Sequence, residues 1–223
     1  MGKGVALIDP HGDSAERILA SIPPERADDV LYWDLLDRDR PIGVNIFQWS
    51  TVEERDLLID ELYLTLDRIY DFKETGGPIF EAHFRGFCKL LCGDGSEKRK
   101  GFTGTLMDII RCYTDKEFRK WLGKTIDDSH IGDFLTEIER VGGEGSIENI
   151  SIYVTSKFNR FVNDLSLRRI IGQPVTSFNF DEIINGKKVF LVKLGKGRFG
   201  SVVSALLTNM IVSRFKLAAM KRG

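Results

Sequence analysis

Asp9, His11 and Asp13 alternate within Asp9-Pro-His-Gly-Asp13, directly after the apolar run Val5–Ile8. Carboxylates and an imidazole at such spacing could grip a metal ion. A two-metal hydrolase holds its ions about 3.5–4 Å apart with several Asp, Asn and His ligands. The same residues suit a turn from strand to helix, with Gly12 allowing the bend and Asp13 or Ser14 capping the helix. A second pattern lies near the other end. Gly195-Lys-Gly197-Arg-Phe-Gly200 follows the apolar run Lys188–Leu194 and opens a helix. Backbone N–H groups at such a helix start can bind phosphate, with Lys196 and Arg198 as further phosphate contacts.

Each pattern makes demands on the remaining chain. The strand-Asp-x-His-Gly opening resembles calcineurin-like phosphoesterases, which also need Gly-Asn-His and Gly-His-x-His motifs. His83 and His130, the other two histidines, lie in neither, so no metal site is expected. A dinucleotide fold of the Rossmann type wants an acid about 20 residues after its glycines to hold a ribose hydroxyl, and no acid follows Glu182. That reading stands as a lesser alternative, and a glycine turn needed for tight packing is the plain one. No Walker A pattern occurs in the chain, and no apolar strand ends in Asp-Glu. No Ser-His-Asp or Cys-His spacing suggests a nucleophile, so no catalytic residue is assigned.

The totals narrow the class. The chain has 223 residues, 42% hydrophobic and 29% charged, with a net charge of −1. That is an ordinary globular composition. No uninterrupted apolar run reaches the roughly 18 residues of a membrane span, and Met1–Gly4 leads into a strand rather than a signal peptide. Cys88, Cys92 and Cys112 are too few and too loosely spaced for a disulfide framework and read as reduced thiols. Charge is uneven. Residues 1–75 carry 17 acids and 8 bases, whereas residues 183–223 carry 9 bases and no acid. Basic clusters also mark the middle, at Lys98-Arg-Lys100, at Arg111, Lys116, Arg119, Lys120 and Lys124, and at Arg168-Arg169. Acids interleave with them, so they read as solvated helix surface or as a phosphate-contacting face.

The elements that must position these residues follow from periodicity. Val5–Ile8 and Val30–Leu35 read as buried strands around a helix that runs to Ile22, which makes one βαβ unit. Asp37–Asn45 reads as a polar loop. From Ser50 the pattern turns helical. Ser50-x-x-Glu53 is a capping-box pattern, and Leu58, Leu62, Leu66 and Ile69 share one helix face. Further helices fit Ile79–Leu91, Phe102–Tyr113, Lys116–Leu122, Ile131–Arg140 and Ile147–Val162, with glycine-rich connections at Cys92–Gly101 and Val141–Ser146. Phe178–Phe180 reads as a short strand, Lys188–Leu194 as a strong one, and Ser201–Met220 as a long helix. The expected fold is α/β: a partial parallel sheet (1–49 and 174–223) interrupted by an all-helical domain (50–173).

The order of motifs resembles a known family. "GVALIDPHGDSAERILASIPPERADDVLYWDLLDRDRPIGVNIF" is similar to the segment after the Walker A helix of HerA/FtsK-type motors, most closely the TraG/TraD-like coupling ATPases of conjugation and type IV secretion. "FNFDEIINGKKVFLVKLGKGRFGSVVSALLTNMIVSRFKLAAMKR" is similar to the stretch that runs up to their Walker B strand, and "SKFNRFVNDLSLRRIIGQ" fits the end of their all-α domain. The resemblance implies a RecA-like P-loop core and a hexameric, ATP-driven DNA translocase. It implies ATP and Mg in the intact protein but none in this segment, and relaxosome or secretion-channel proteins as partners. It places the protein in the cytoplasm or at the cytoplasmic face of the inner membrane, with any membrane contact through regions outside these residues. Walker A is expected before Met1, and Walker B and the arginine finger after Gly223. Ile46 departs from the proline common in that family. On this reading Asp9, His11, Gly12 and Asp13 form the periphery of a nucleotide site or relay its state, and Gly195, Lys196, Gly197, Arg198 and Gly200 form the glycine turn. The competing expectation is a non-catalytic helical interaction module of a DNA-transfer complex.

Overall fold

A computed structural model of the chain describes residues 4–99, 101–143 and 146–221. In order its elements are β1 (Val5–Asp9), α1 (Asp13–Ala20), a 3-10 turn (Pro24–Asp29), β2 (Val30–Asp34), α2 (Val52–Tyr70), α3 (Phe72–Thr75), α4 (Gly77–Cys92), α5 (Asp108–Thr114), α6 (Lys116–Lys124), α7 (Ser129–Ile138), α8 (Ile147–Asn163), α9 (Leu165–Ile171), α10 (Phe180–Asn185), β3 (Val189–Lys193) and α11 (Lys196–Met220). The fold is mixed α/β and the chain divides into two compact units, Met1–Gly43 with Thr176–Gly223, and Val44–Val175.

The first unit is built on a three-stranded parallel sheet of order β1-β3-β2. The strand last in sequence lies in the middle, which is why "VFLVK" is the most apolar of the three. Its first four residues are buried on both faces, as a central parallel strand requires. β1 and β2 therefore do not pair with each other, although α1 joins them. Alternate residues serve opposite faces. On one face Val189 and Leu191 pack with Ala15 of α1, flanked by Leu7, Leu19, Ile22, Val30 and Tyr32. On the other, Phe190 meets Trp33, Phe178, Phe180 and Phe215, with ring centroids 5.2–6.5 Å away.

Several local expectations shift. Phe178–Phe180 is no strand, because the Asn179 side chain accepts from the N–H groups of Asp181 and Glu182 and so caps α10. α1 stops at Ala20, short of Ile22. α11 begins at Lys196 but is broken at Gly200, whose φ of 80° and ψ of 174° are not helical. By length and composition alone α11 could cross a membrane. Yet 56% of its most apolar window is buried inside the protein, as in a core helix.

The helical unit has an aromatic core of its own. Phe72, Phe80 and Phe84 contact one another and Tyr63 or Tyr153, with centroids 4.6–6.4 Å apart. The cap of α2 is Thr51, whose side chain accepts from Glu54 N, while Glu54 Oε2 accepts from Ser50 N. The capping box is thus displaced by one residue. Phe102–Met107 is not helical. Thr105 donates through both N and Oγ1 to the Asp108 carboxylate, and α5 starts only there. Asn45, fully buried, ties the ends of the unit: its amide donates to the Gly104 and Pro174 carbonyls and its oxygen accepts from Phe47 N. Cys88 and Cys112 are buried free thiols, Cys92 is half-buried, and burial pushes the Cys88 and Cys112 thiols up.

Candidate functional site: the carboxyl edge of the parallel sheet

Parallel strands end together, and the loops that leave their carboxyl ends form the ordinary ligand crevice of open α/β sheets. Here the last residues of the three strands stand in register, Asp9 opposite Lys193 and Lys193 opposite Asp34. All three are charged, and they form one row across the edge.

Asp9 is almost wholly buried. Its Oδ1 accepts from His11 N at 3.0 Å, and its Oδ2 accepts from Ser14 N at 2.8 Å and Ala15 N at 3.0 Å. Burial alone would raise its pKa. Hydrogen bonds from the backbones of Gly12, Ala15, His11 and Ser14 outweigh that and lower it to about 2. The cap of α1 is therefore neither Asp13 nor Ser14 but a strand residue reaching across the turn, while Gly12, at φ 105°, occupies the cap position with no side chain to offer. Gly12 is needed for a second reason. A Cβ there would stand 2.7–2.8 Å from the Lys193 side-chain carbons.

Lys193 runs over Gly12 to Glu16 Oε1 at 2.6 Å and Asp34 Oδ2 at 3.4 Å. Its ammonium is held protonated far above the usual lysine range, first by the hydrogen bond it donates to Glu16 and then by Asp34, against the cost of desolvation. Asp34 Oδ1 accepts from Leu36 N at 2.8 Å. Beside this row, a cleft of about 670 Å³ is lined by Tyr32, Asp34, Leu36, Asp37, Arg40 and Ile42.

The structure brings the two sequence motifs together. Leu194 N donates to Asp9 O at 3.0 Å and Lys196 N donates to Pro10 O at 2.8 Å, so Gly195–Gly200 lies beside Asp9–Asp13. Gly195 takes φ 62°, and a Cβ there would stand 2.7 Å from Leu36. The motif residues separate into a buried and an exposed set. Asp9, Gly12 and Gly195 are buried and positional. His11, Asp13, Lys196, Gly197 and Arg198 are exposed, and the Arg198 guanidinium lies over the Phe199 ring, 5.4 Å from its centroid. His11 and Asp13 do not converge with Asp9 as ligands. Among the described residues no three His, Cys, Asp or Glu side chains come together as a metal site. His83 belongs to the helical unit, buried on α4 against Phe87, where burial lowers its pKa.

Chemically, Asp9 is an ionised carboxylate saturated by backbone donors, and Lys193 is a fixed cation. Neither is poised to exchange a proton near neutral pH. They hold a rigid edge that presents the exposed residues of two loops. Lys193, Glu16 and Asp34 were not among the residues singled out by motif. The signal was present: each strand is four apolar residues ended by one charge, VALI-Asp9, VLYW-Asp34 and VFLV-Lys193. Comparison with protein-family models, curated proteins and solved structures finds no match.

Proposed function

We propose that the chain is the central segment of an ATP-driven DNA translocase of the HerA/FtsK type, most like the TraG/TraD-like coupling ATPases of conjugation and type IV secretion. The observation that supports this is the meeting of Asp9–Asp13 with Gly195–Gly200 at the carboxyl edge of one parallel sheet, two motifs separated in sequence by the whole helical unit. On this reading the sheet is part of a RecA-like P-loop core. MgATP is bound by Walker motifs outside residues 1–223, between subunits of a hexamer working in the cytoplasm or at the cytoplasmic face of the inner membrane. Exposed His11, Asp13, Lys196 and Arg198 sit at the rim of that nucleotide site or at a subunit boundary. The charged row Asp9, Lys193 and Asp34 keeps the two loops in step, so that a change at one loop is passed to the other.

The test is the gene sequence on both sides of these codons, followed by ATPase assay of the protein it encodes. An in-frame Gly-x-x-x-x-Gly-Lys-Ser/Thr upstream, an apolar strand ending in Asp-Glu downstream and DNA-stimulated hydrolysis are the expected results. A start codon at Met1 with a stop after Gly223 would remove the motor reading and leave a helical interaction module of a DNA-transfer complex, since the Val44–Val175 unit has its own core. Within the motor, Lys193→Met should uncouple hydrolysis from translocation. Unchanged coupling would sink the role given to the row.

A further inference from the structure

We infer that the helical unit carries a binding surface for single-stranded DNA centred on Trp121 of α6, with Lys120 and Lys124 as its phosphate contacts. Among the described residues Trp121 is the most exposed Phe, Tyr or Trp, at 44%. It is not a loose side chain. Phe118 stacks beside it at 6.0 Å and 17°, Phe102 meets it edge-on at 5.1 Å, and the Arg111 guanidinium covers Phe118 at 3.8 Å. A rigid, backed ring with an open side is what base stacking needs.

The charge around it has the matching sign. Residues 98–124 carry eight Lys and Arg against three Asp and Glu, a net of +5 in a chain whose total is −1. Two of the eight are spent inside. Arg99 donates to the Leu90 and Leu91 carbonyls at the end of α4, and Arg119 donates to the Cys112 and Tyr113 carbonyls at the end of α5. Lys100 lies outside the described residues. The rest are exposed. Lys120 and Lys124 are four apart on α6 and about 40° apart around it, with Trp121 about 60° beyond Lys124, so all three fall on one side of the helix. Lys124 makes no ion pair or hydrogen bond among the described residues. Lys120 pairs with Glu117 at 2.8 Å, Lys116 with Glu139 at 3.6 Å, and Lys98 with Asp127. These are solvent-exposed pairs, individually weak, and a phosphate can displace the carboxylate.

A single strand fits this surface better than a duplex, because a duplex keeps its base faces covered while a ring on a convex helix can stack only on an unpaired base. The choice of DNA over other nucleic acid rests on the proposed motor; the surface itself does not. The acids at Glu117, Asp127 and Glu139 limit affinity to the weak, non-specific range, with Kd on the order of 10⁻⁴ to 10⁻⁶ M.

The test is fluorescence anisotropy of labelled oligothymidylate and of a blunt duplex with the 223-residue chain, between about 50 and about 200 mM salt. Trp121→Ala should weaken oligothymidylate binding on the order of tenfold, while Trp121→Phe keeps most of it and abolishes the tryptophan quenching that accompanies stacking. Lys124→Ala should lower the salt slope by about 0.7. Far-UV circular dichroism and melting of each variant separate lost contact from lost fold. The proposal is overturned if oligothymidylate does not bind at low salt, if folded Trp121→Ala binds it as well as the parent, or if Trp121→Ala weakens the duplex equally. None of these outcomes touches ATP hydrolysis by the protein with its flanking sequence, so the motor reading stands or falls separately.

Discussion

Asp9→Asn replaces one oxygen of a buried carboxylate by an amide and changes almost nothing else in shape. In the parent, Oδ1 serves His11 N and Oδ2 serves Ser14 N and Ala15 N. Asparagine can serve one side only, and its NH2 then faces an N–H donor on the other. The size of the effect follows from the carboxylate's pKa, about 2 against an ordinary 3.8. At about 1.4 kcal/mol for each pKa unit, the ionised form contributes about 2 kcal/mol to the fold. The sign is that of a depressed acid: the contribution is complete above the unfolded value of 3.8 and is lost as pH falls through about 2. Urea unfolding should therefore show Asp9→Asn about 2 kcal/mol less stable at neutral pH, with the gap closing between about pH 4 and about pH 2. Taking the difference between the two proteins cancels the other carboxylates. The probe should be Trp33 fluorescence with Trp49 and Trp121 replaced by Phe, since Trp33 alone of the three tryptophans lies in the sheet unit. A gap that persists unchanged to pH 2, or no gap at neutral pH, would refute the account of Asp9 as an ionised cap for α1.

Three further changes test the positioning of the elements. Gly12→Ala forces a Cβ into the Lys193 stem and a side chain onto φ 105°, so unfolding of the sheet unit should show a loss of about 2–3 kcal/mol. Thr51→Ala should cost the helical unit about 1 kcal/mol, and Ser50→Ala almost nothing; a larger loss for Ser50→Ala in thermal melts would put the capping box back at Ser50. Gly86→Ala places a Cβ within 2.2–2.6 Å of the Phe134 ring, which also packs edge-on against Phe87. The displaced ring should outweigh the gain in helix propensity and leave the variant about 1–2 kcal/mol less stable in chemical denaturation.

The local elements were legible where one force dominated. Val5–Asp9, Val30–Asp34 and Val189–Lys193 announce themselves by unbroken apolar runs, and the Leu58, Leu62, Leu66 stripe by its period. Legibility failed where a side chain chose between two local partners. Asn179 takes the N–H groups of Asp181 and Glu182, so an apolar-polar-apolar triplet that reads as strand becomes the start of a helix. Thr51 and Ser50 are both competent caps, and only the geometry with Glu54 decides between them. At Phe102–Met107 the apolar spacing is helical, yet the Thr105 bonds to Asp108 delay the first turn.

What the sequence determined by itself was the existence of a mixed α/β chain with a helical middle, because burial period, glycine turns and helix caps act over a few residues and need no distant partner. It also marked Asp9 and Gly195 as special, through their places at the ends of apolar runs. Only the tertiary structure decided that the last strand lies between the first two. Only it set Asp9, Lys193 and Asp34 in one row and turned Lys193 toward Glu16. Strand order is a choice between pairings that join segments more than 150 residues apart, made by the summed burial of Phe190, Leu191 and Val192 on both faces at once. No local pattern carries that sum, and so the charged row that organises the edge became visible only when the sheet was assembled.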